Sequence, residues 1–180
     1  MHMSFYSLPS NAVYVGVHIR RTDMLASDKY SVADVGYLRR SFHFMRRQFP
    51  GRQLAFVVCT DDMRWSKDNV PKALMHETHH VTSAGLRGNG FRGNDSDEAA
   101  AANSTGNFVA VFSERHGTEE DLAILSLCNH TIMTVGTFGW WAGYLSGGIT
   151  IYYRNFPPKG SELEPDFSRE DHFPPGWIGL

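Results

Sequence analysis

The sequence predicts an α/β fold, a Rossmann-like and mostly parallel sheet flanked by helices. Two patterns predict it. Short apolar runs rich in β-branched and aromatic residues alternate with stretches whose apolar positions fall three and four residues apart. Strand followed by helix recurs about four times, with no internal repeat, which is how a doubly wound sheet is written in sequence.

The first strand is Ala-Val-Tyr-Val-Gly-Val, Ala12 to Val17, which carries no charge and so reads as buried. Between Asp34 and Phe49, Val35, Leu38, Phe42, Met45 and Phe49 form one helical stripe, flanked by Arg39, Arg40, Arg46 and Arg47. Asp34 is placed to cap that helix, and Pro50-Gly51 to end it. A second buried strand runs from Leu54 to Cys59. Thr60-Asp61-Asp62 then caps a short helix through Trp65 to about Asn69. Residues 82–107 are rich in Gly, Asn, Asp and Ser, with little apolar surface to offset their ordering entropy, and read as a flexible surface insertion.

Patterned sequence resumes at Phe108–Phe112, a third strand. Thr118 is the expected cap of the next helix, with Asp121 three positions on. Leu122, Ile124, Leu125, Leu127 and Cys128 carry it to about Asn129. Thr131–Val135 is a strand, Gly136–Gly139 a turn and Trp140–Leu145 a helix that Ser146-Gly147-Gly148 stops. Ile149–Tyr153 makes the last strand. The tail after Arg154, rich in proline and charge, is expected to be irregular. The whole, residues 1–180, is expected to form a single domain.

Composition narrows the function classes. The chain is 42% hydrophobic with a formal net charge of −2, ordinary for a globular protein and without the basic excess of a general nucleic-acid binder. No run approaches the ~20 apolar residues needed to span a bilayer, and the N-terminus lacks the layout of a signal peptide. Cys59 and Cys128 both sit among apolar residues and are expected to be buried thiols. Neither CxxC nor HExxH occurs, so no zinc site is indicated. Asn94, Asn103 and Asn129 each begin an N-glycosylation triplet.

The segment with most chemistry is His18-Ile19-Arg20-Arg21-Thr22-Asp23, directly after the first strand. Loops at the carboxyl ends of parallel strands are where such sheets bind ligands. A guanidinium fork suits a diphosphate and stays charged at any working pH. The plainer alternative is a solvated arginine pair with Asp23 as partner. Because consecutive residues point different ways, one arginine is expected to support the loop while the other faces a ligand. Gly136-Thr137-Phe138-Gly139 is a second candidate turn, with the free N–H groups of the following helix favouring phosphate. It is neither a P-loop nor a GxGxxG fingerprint. Asp95-Ser96-Asp97 has the form of a metal-holding DxD triplet, but with no strand before it a solvated loop is the better reading. Trp140-Trp141 and Tyr152-Tyr153 read as core and surface aromatics, and His79-His80 as surface.

Two stretches resemble a known family. VGV-HIRRTD is similar to the first motif of the α-1,2-, α-1,6- and protein O-fucosyltransferases. DLAILSLCNHTIMTVGTFGWWAGYLSGGITIYY, Asp121 to Tyr153, resembles the later motifs of the galactoside 2-α-L-fucosyltransferases. The resemblance runs from about Tyr14 to the end, outside the insertion. It implies the donor-binding half of a GT-B-type fold, GDP-fucose as donor, a galactose-terminated glycan as acceptor, inversion, and no metal or other cofactor.

Carried over, Arg20 and Arg21 would neutralise the departing diphosphate, with Arg21 and Asp23 the catalytic candidates. Thr137, Phe138 and Gly139 would hold phosphate or fucose, and His18 and Asp23 would shape the donor loop. Thr22 stands where the α-1,2 group usually has glycine and is similar to the α-1,6 enzymes. Family members also carry a cytoplasmic tail, membrane anchor, stem and first Rossmann-like half. No counterpart of these is expected within the 180 residues, so Golgi residence is implied by family only. The alternatives are a truncated, inactive GDP-fucose-binding fragment, or a transferase with α-1,6 or protein acceptors.

Overall fold

The structure, a computed structural model, describes residues 11–27, 29–75, 107–114 and 117–180. The Asp95–Asp97 triplet, His79-His80, the triplets at Asn94 and Asn103 and nearly all of the expected insertion lie outside them. Within them the strands form one six-stranded sheet: β1 (Val13–Ile19), β2 (Leu54–Thr60), β3 (Phe108–Phe112), β4 (His130–Met133), β5 (Thr150–Tyr152) and β6 (Ile178–Gly179). Their order is β3-β2-β1-β4-β5-β6, and every pairing is parallel. The α/β, Rossmann-like expectation therefore holds. The chain leaves β1 toward β2 and β3, then returns to the other side of β1 to lay down β4 and β5. The order reverses between β1 and β4, and an open crevice lies where it does.

Alternation along β1 decides what faces which layer. Val13, Val15, Val17 and Ile19 join the main core with α1 (Val35–Gln48) and α2 (Met63–Met75). On the opposite face Gly16 lets α3 (Thr118–Ser126) come close, since a Cβ there would lie 2.9 Å from Leu125 Cδ2. Asp34 caps α1 as expected, its carboxylate accepting from Tyr37 N at 2.6 Å. Leu38, Phe42 and Met45 are buried, and Phe42 meets Phe56 edge-on at 4.8 Å. The Tyr37 hydroxyl reaches through the core to the carbonyls of Met133 (2.5 Å) and Ile151 (3.3 Å), tying α1 to β4 and β5.

Several boundaries differ from expectation, and four of the differences have a clear local reason. Helix α2 runs on to Met75 through Pro71, because Val70, Ala73 and Leu74 are buried and their packing outweighs the lost N–H. The N-cap of α3 is Gly117, not Thr118: Glu120 reaches back to accept from Gly117 N at 2.7 Å. The expected turn at 136–139 is the first turn of α4 (Thr137–Ser146), since Gly136 alone makes the bend at φ 93°. The tail is not wholly irregular. It contains a one-turn helix α5 (Arg169–His172), and β6 pairs with β5. Aromatic stacking carries it, with Phe173 on Tyr152 at 3.6 Å and Trp177 beside Trp140 at 5.6 Å. Cys59 and Cys128 are both buried and free.

The stop after α4 offers a paired test. Gly147 takes a left-handed φ of 69° with open space around it, whereas a Cβ on Gly148 would lie 1.8 Å from the Asn129 carbonyl oxygen. Gly147→Ala should cost about 1 kcal/mol. Gly148→Ala should cost more than about 3 kcal/mol or prevent folding, because backbone must move. Equal denaturation midpoints for the two variants would contradict this packing.

Candidate functional site

At the crevice, β1 extends two residues past its expected end, so His18 and Ile19 belong to the strand and the loop begins at Arg20. His18 lies on the α3/α4 face. Gly139 admits it: a Cβ there would sit 2.6 Å from His18 Nδ1, and Phe138 covers the ring at 5.0 Å. Burial drives the His18 pKa down to about 4, with Arg20 adding to the effect and Asp61 opposing it. The imidazole is therefore neutral at pH 7, and its Nδ1 has no hydrogen-bond partner among the described residues.

The loop after His18 is tied at both ends. Arg20 N donates to Thr134 Oγ1 at 3.0 Å, which fixes it to the end of β4. The Asp61 carboxylate, at the end of β2, accepts from Arg21 N (2.8 Å), Thr22 N (3.1 Å) and Thr22 Oγ1 (2.7 Å). With the backbone so held, the two arginines part. Arg21 turns inward, its guanidinium 3.7 Å over the Trp65 ring, donating to Ala33 O at 3.2 Å and lying 3.6 Å from Asp62. Arg20 turns outward and takes Asp23 with two nitrogens, Nε to Oδ1 at 3.0 Å and Nη2 to Oδ2. That pairing holds the Asp23 carboxyl below its usual range.

Beside these residues opens a cavity of about 500 Å³. Its floor is His18 with Cys59 and Thr60, and one wall is Arg20, Thr22, Asp23 and Asp61. Thr118 and Asp121 of α3 close one side and Phe138 of α4 the other. Burial raises the Cys59 thiol far above its ordinary pKa, so it lines the floor as a neutral group. Arg20 lies against Gly136, where a Cβ would come within 3.6 Å of its Cδ and 3.8 Å of Nη1. A guanidinium thus stands beside the unsatisfied N–H groups that open α4. The start of α3 has the opposite character, with Glu119, Glu120 and Asp121 in its first turn. Among the described residues no three His, Cys, Asp or Glu side chains gather as a metal would require.

Of the expected site residues, His18, Arg20, Asp23 and Phe138 line one cavity, from two segments more than a hundred positions apart; Gly139 packs against His18 beneath it, and Thr137 opens α4 without lining it. Arg21 departs from its expected ligand-facing place: it anchors the loop and does not line the cavity. Asp61, Thr134 and Asp121 were not singled out from sequence. Asp61 read only as a helix cap, a role the structure gives to Asp62, whose Oδ1 accepts from Trp65 N. The signal for Asp61 and Thr134 was position at the ends of the two strands neighbouring β1; Asp121, read only as part of a helix cap, lies in the first turn of α3.

The sequence model of glycosyl transferase family 11 matches residues 3–89 and 102–180. The chain belongs to glycosyl transferase family 11. The match takes in both ends of the expected insertion at 82–107 and leaves residues 90–101 of it out. The chain is 36% identical over 171 residues to human galactoside alpha-(1,2)-fucosyltransferase 1, covering 93% of this chain and 38% of that protein. It is 33% identical over 173 residues to bovine galactoside 2-alpha-L-fucosyltransferase SEC1, covering 94% and 38%. The rat galactoside alpha-(1,2)-fucosyltransferase 1 is 34% identical over 172 residues, covering 93% and 37%. The chain thus spans less than two-fifths of these relatives' length. Among the described residues no helix is long and apolar enough to cross a membrane.

The buried imidazole makes stability depend on pH with a definite sign. Its folded pKa of about 4 lies below the unfolded 6.5, so the unfolded chain binds more protons between them. The contribution is complete above pH 6.5 and is lost as pH falls toward 4. It amounts to roughly 3 kcal/mol. Urea unfolding of wild type and His18→Gln at several pH values should diverge in slope across this window. Parallel curves would mean that His18 is not buried neutral.

Proposed function

We propose that this chain is the GDP-fucose-binding domain of a galactoside 2-α-L-fucosyltransferase, which moves L-fucose onto the 2-hydroxyl of a galactose-terminated glycan. One observation carries the reading: Arg20 and the start of α4 converge on Gly136 at the switch-point crevice. A diphosphate needs positive charge and in-plane donors, and that corner offers both. The cavity is of nucleotide size. The names of the relatives supply donor sugar, acceptor and linkage.

In the proposed reaction the acceptor oxygen bonds to fucose C1 from the face opposite the nucleotide. The bond from C1 to the diphosphate oxygen breaks, GDP departs with the electron pair, and the acceptor hydroxyl releases its proton to solvent as the new bond forms. Charge builds on the leaving diphosphate, so donors placed there before reaction lower the barrier. Arg20 supplies the charge that a metal supplies elsewhere, and the N–H groups of Thr137, Phe138 and Gly139 supply direction. The transition state is oxocarbenium-like, which puts the weight on the leaving group rather than on a strong base. Asp23, held acidic by Arg20, suits positioning that arginine better than taking a proton. Arg21 serves indirectly, by bracing the loop on Trp65. We infer that the work is done on the lumenal side of the Golgi membrane, as the family resemblance implies.

Calorimetric titration with GDP separates the two arginines. Arg20→Ala should weaken binding by more than about tenfold, as expected for a lost charge-assisted contact of ~1.5–3 kcal/mol. It should leave the melting temperature nearly unchanged. Arg21→Ala should lower the melting temperature by several degrees, roughly the effect of 1–2 kcal/mol. EDTA should change neither affinity. Unaltered GDP binding by Arg20→Ala would refute the assignment.

A further inference from the structure

Helix α4 carries a second surface that the donor site does not use. Its ten residues, Thr-Phe-Gly-Trp-Trp-Ala-Gly-Tyr-Leu-Ser, include no charge. Gly139, Ala142 and Gly143 face inward and are buried. Trp141, Tyr144 and Leu145 are instead 51%, 56% and 54% exposed. Helical spacing puts them on one ridge. Trp141 and Leu145 follow Phe138, which lines the cavity, by three and seven positions. Trp141 and Tyr144 follow Thr137 by four and seven. The ridge therefore starts at the cavity mouth and rises along the helix by about 5.4 Å per turn.

The rings are already set. Trp140 is held by its Nε1 donating to the His172 carbonyl at 2.7 Å and by Trp177 at 5.6 Å. Tyr144 stacks on Trp140 at 5.2 Å and 10°. Trp141 stands against Tyr144 at 5.8 Å and 85°, so the two half-exposed rings make a right-angled corner. Rigid, uncharged aromatic faces of this kind match the C–H faces of a pyranose ring, whose hydroxyls stay in water. Size points the same way. The three side chains expose on the order of 300 Å², far short of the ~800 Å² per partner that a stable protein interface needs. That area suits one or two sugar units.

We propose that the Trp141–Tyr144 corner, with Leu145, is a carbohydrate-binding surface continuous with the donor cavity. It would take the neutral part of the acceptor glycan adjoining the sugar that receives fucose. This rests on the transferase reading for its occupant. Its geometry is independent of where GDP sits.

The test is a titration of the 180-residue chain with lactose, with and without saturating GDP, followed by tryptophan fluorescence and saturation-transfer NMR. Wild type should show a saturable change at millimolar lactose with transfer to the sugar C–H protons. Trp141→Ala should weaken it by more than about tenfold, and Trp141→Phe by only about threefold, as for an aromatic anchor. Both should keep GDP affinity within about twofold and the wild-type melting temperature. A chain that binds GDP but not lactose, or a Trp141→Ala variant that binds lactose as well as wild type, would overturn the proposal. So would self-association in sedimentation that Trp141→Ala abolishes without any effect of lactose, which would assign the face to a second copy. Lactose binding without GDP binding would instead leave this surface standing and remove the donor-site reading.

Discussion

The Asp61 carboxylate holds the backbone of residues 21–22 to the end of β2, and the candidate site depends on that grip. Two N–H groups and a hydroxyl share its two oxygens, so the loop after β1 cannot rotate without stranding a charged acceptor. Thr134 secures the preceding residue to β4. Between these clamps the peptide direction is set, and consecutive side chains must diverge. Arg21 goes onto the Trp65 ring, and Arg20 goes against Gly136. The separation of a structural arginine from a cavity-lining one is thus a backbone result, made by groups from two neighbouring strands.

That origin explains what the sequence could and could not reveal. Strand and helix order was legible because burial imposes a period. The stripe from Val35 to Phe49 and the uncharged runs at β1 and β2 appear where expected. The meeting of the two candidate segments was legible too, since both follow strands that flank a reversal of order. The facing of Arg20 against Arg21 was not, because adjacent identical residues carry no pattern that tells their directions apart. Asp61 escaped for a similar reason: next to Asp62 and before a helix, it looks like one more cap. The start of α4 was misjudged because Gly136 completes the bend alone, leaving Thr137–Gly139 free to be helical. The tail, ordered by ring stacking without any periodic stripe, offered no periodicity to read.

The crevice is also electrically uneven. Both α3 and α4 point their N-termini toward it, and backbone dipoles alone would make both attractive to an anion. Glu119, Glu120 and Asp121 cancel that attraction on α3, while α4 has no acid and gains Arg20. Asp121 is further held by Ser113, whose hydroxyl donates to it at 2.5 Å. An anionic group entering the cavity is therefore drawn to the α4 side and away from α3. The acidic side is left to groups that donate hydrogen bonds, such as the hydroxyls of a sugar or the N–H edge of a base.

The strand order has a temporal consequence as well. Strand β1 pairs with β2 on one side, about forty positions along the chain, and with β4 on the other, about 115 positions along. Closing the longer span costs more chain entropy and delays that pairing. Thr134, Gly136 and α4 reach Arg20 only when it is made. The half-sheet β1–β2–β3 contains no complete crevice. The crevice thus closes only once the paired strands most distant in sequence have met, and its completion marks a chain in which they have.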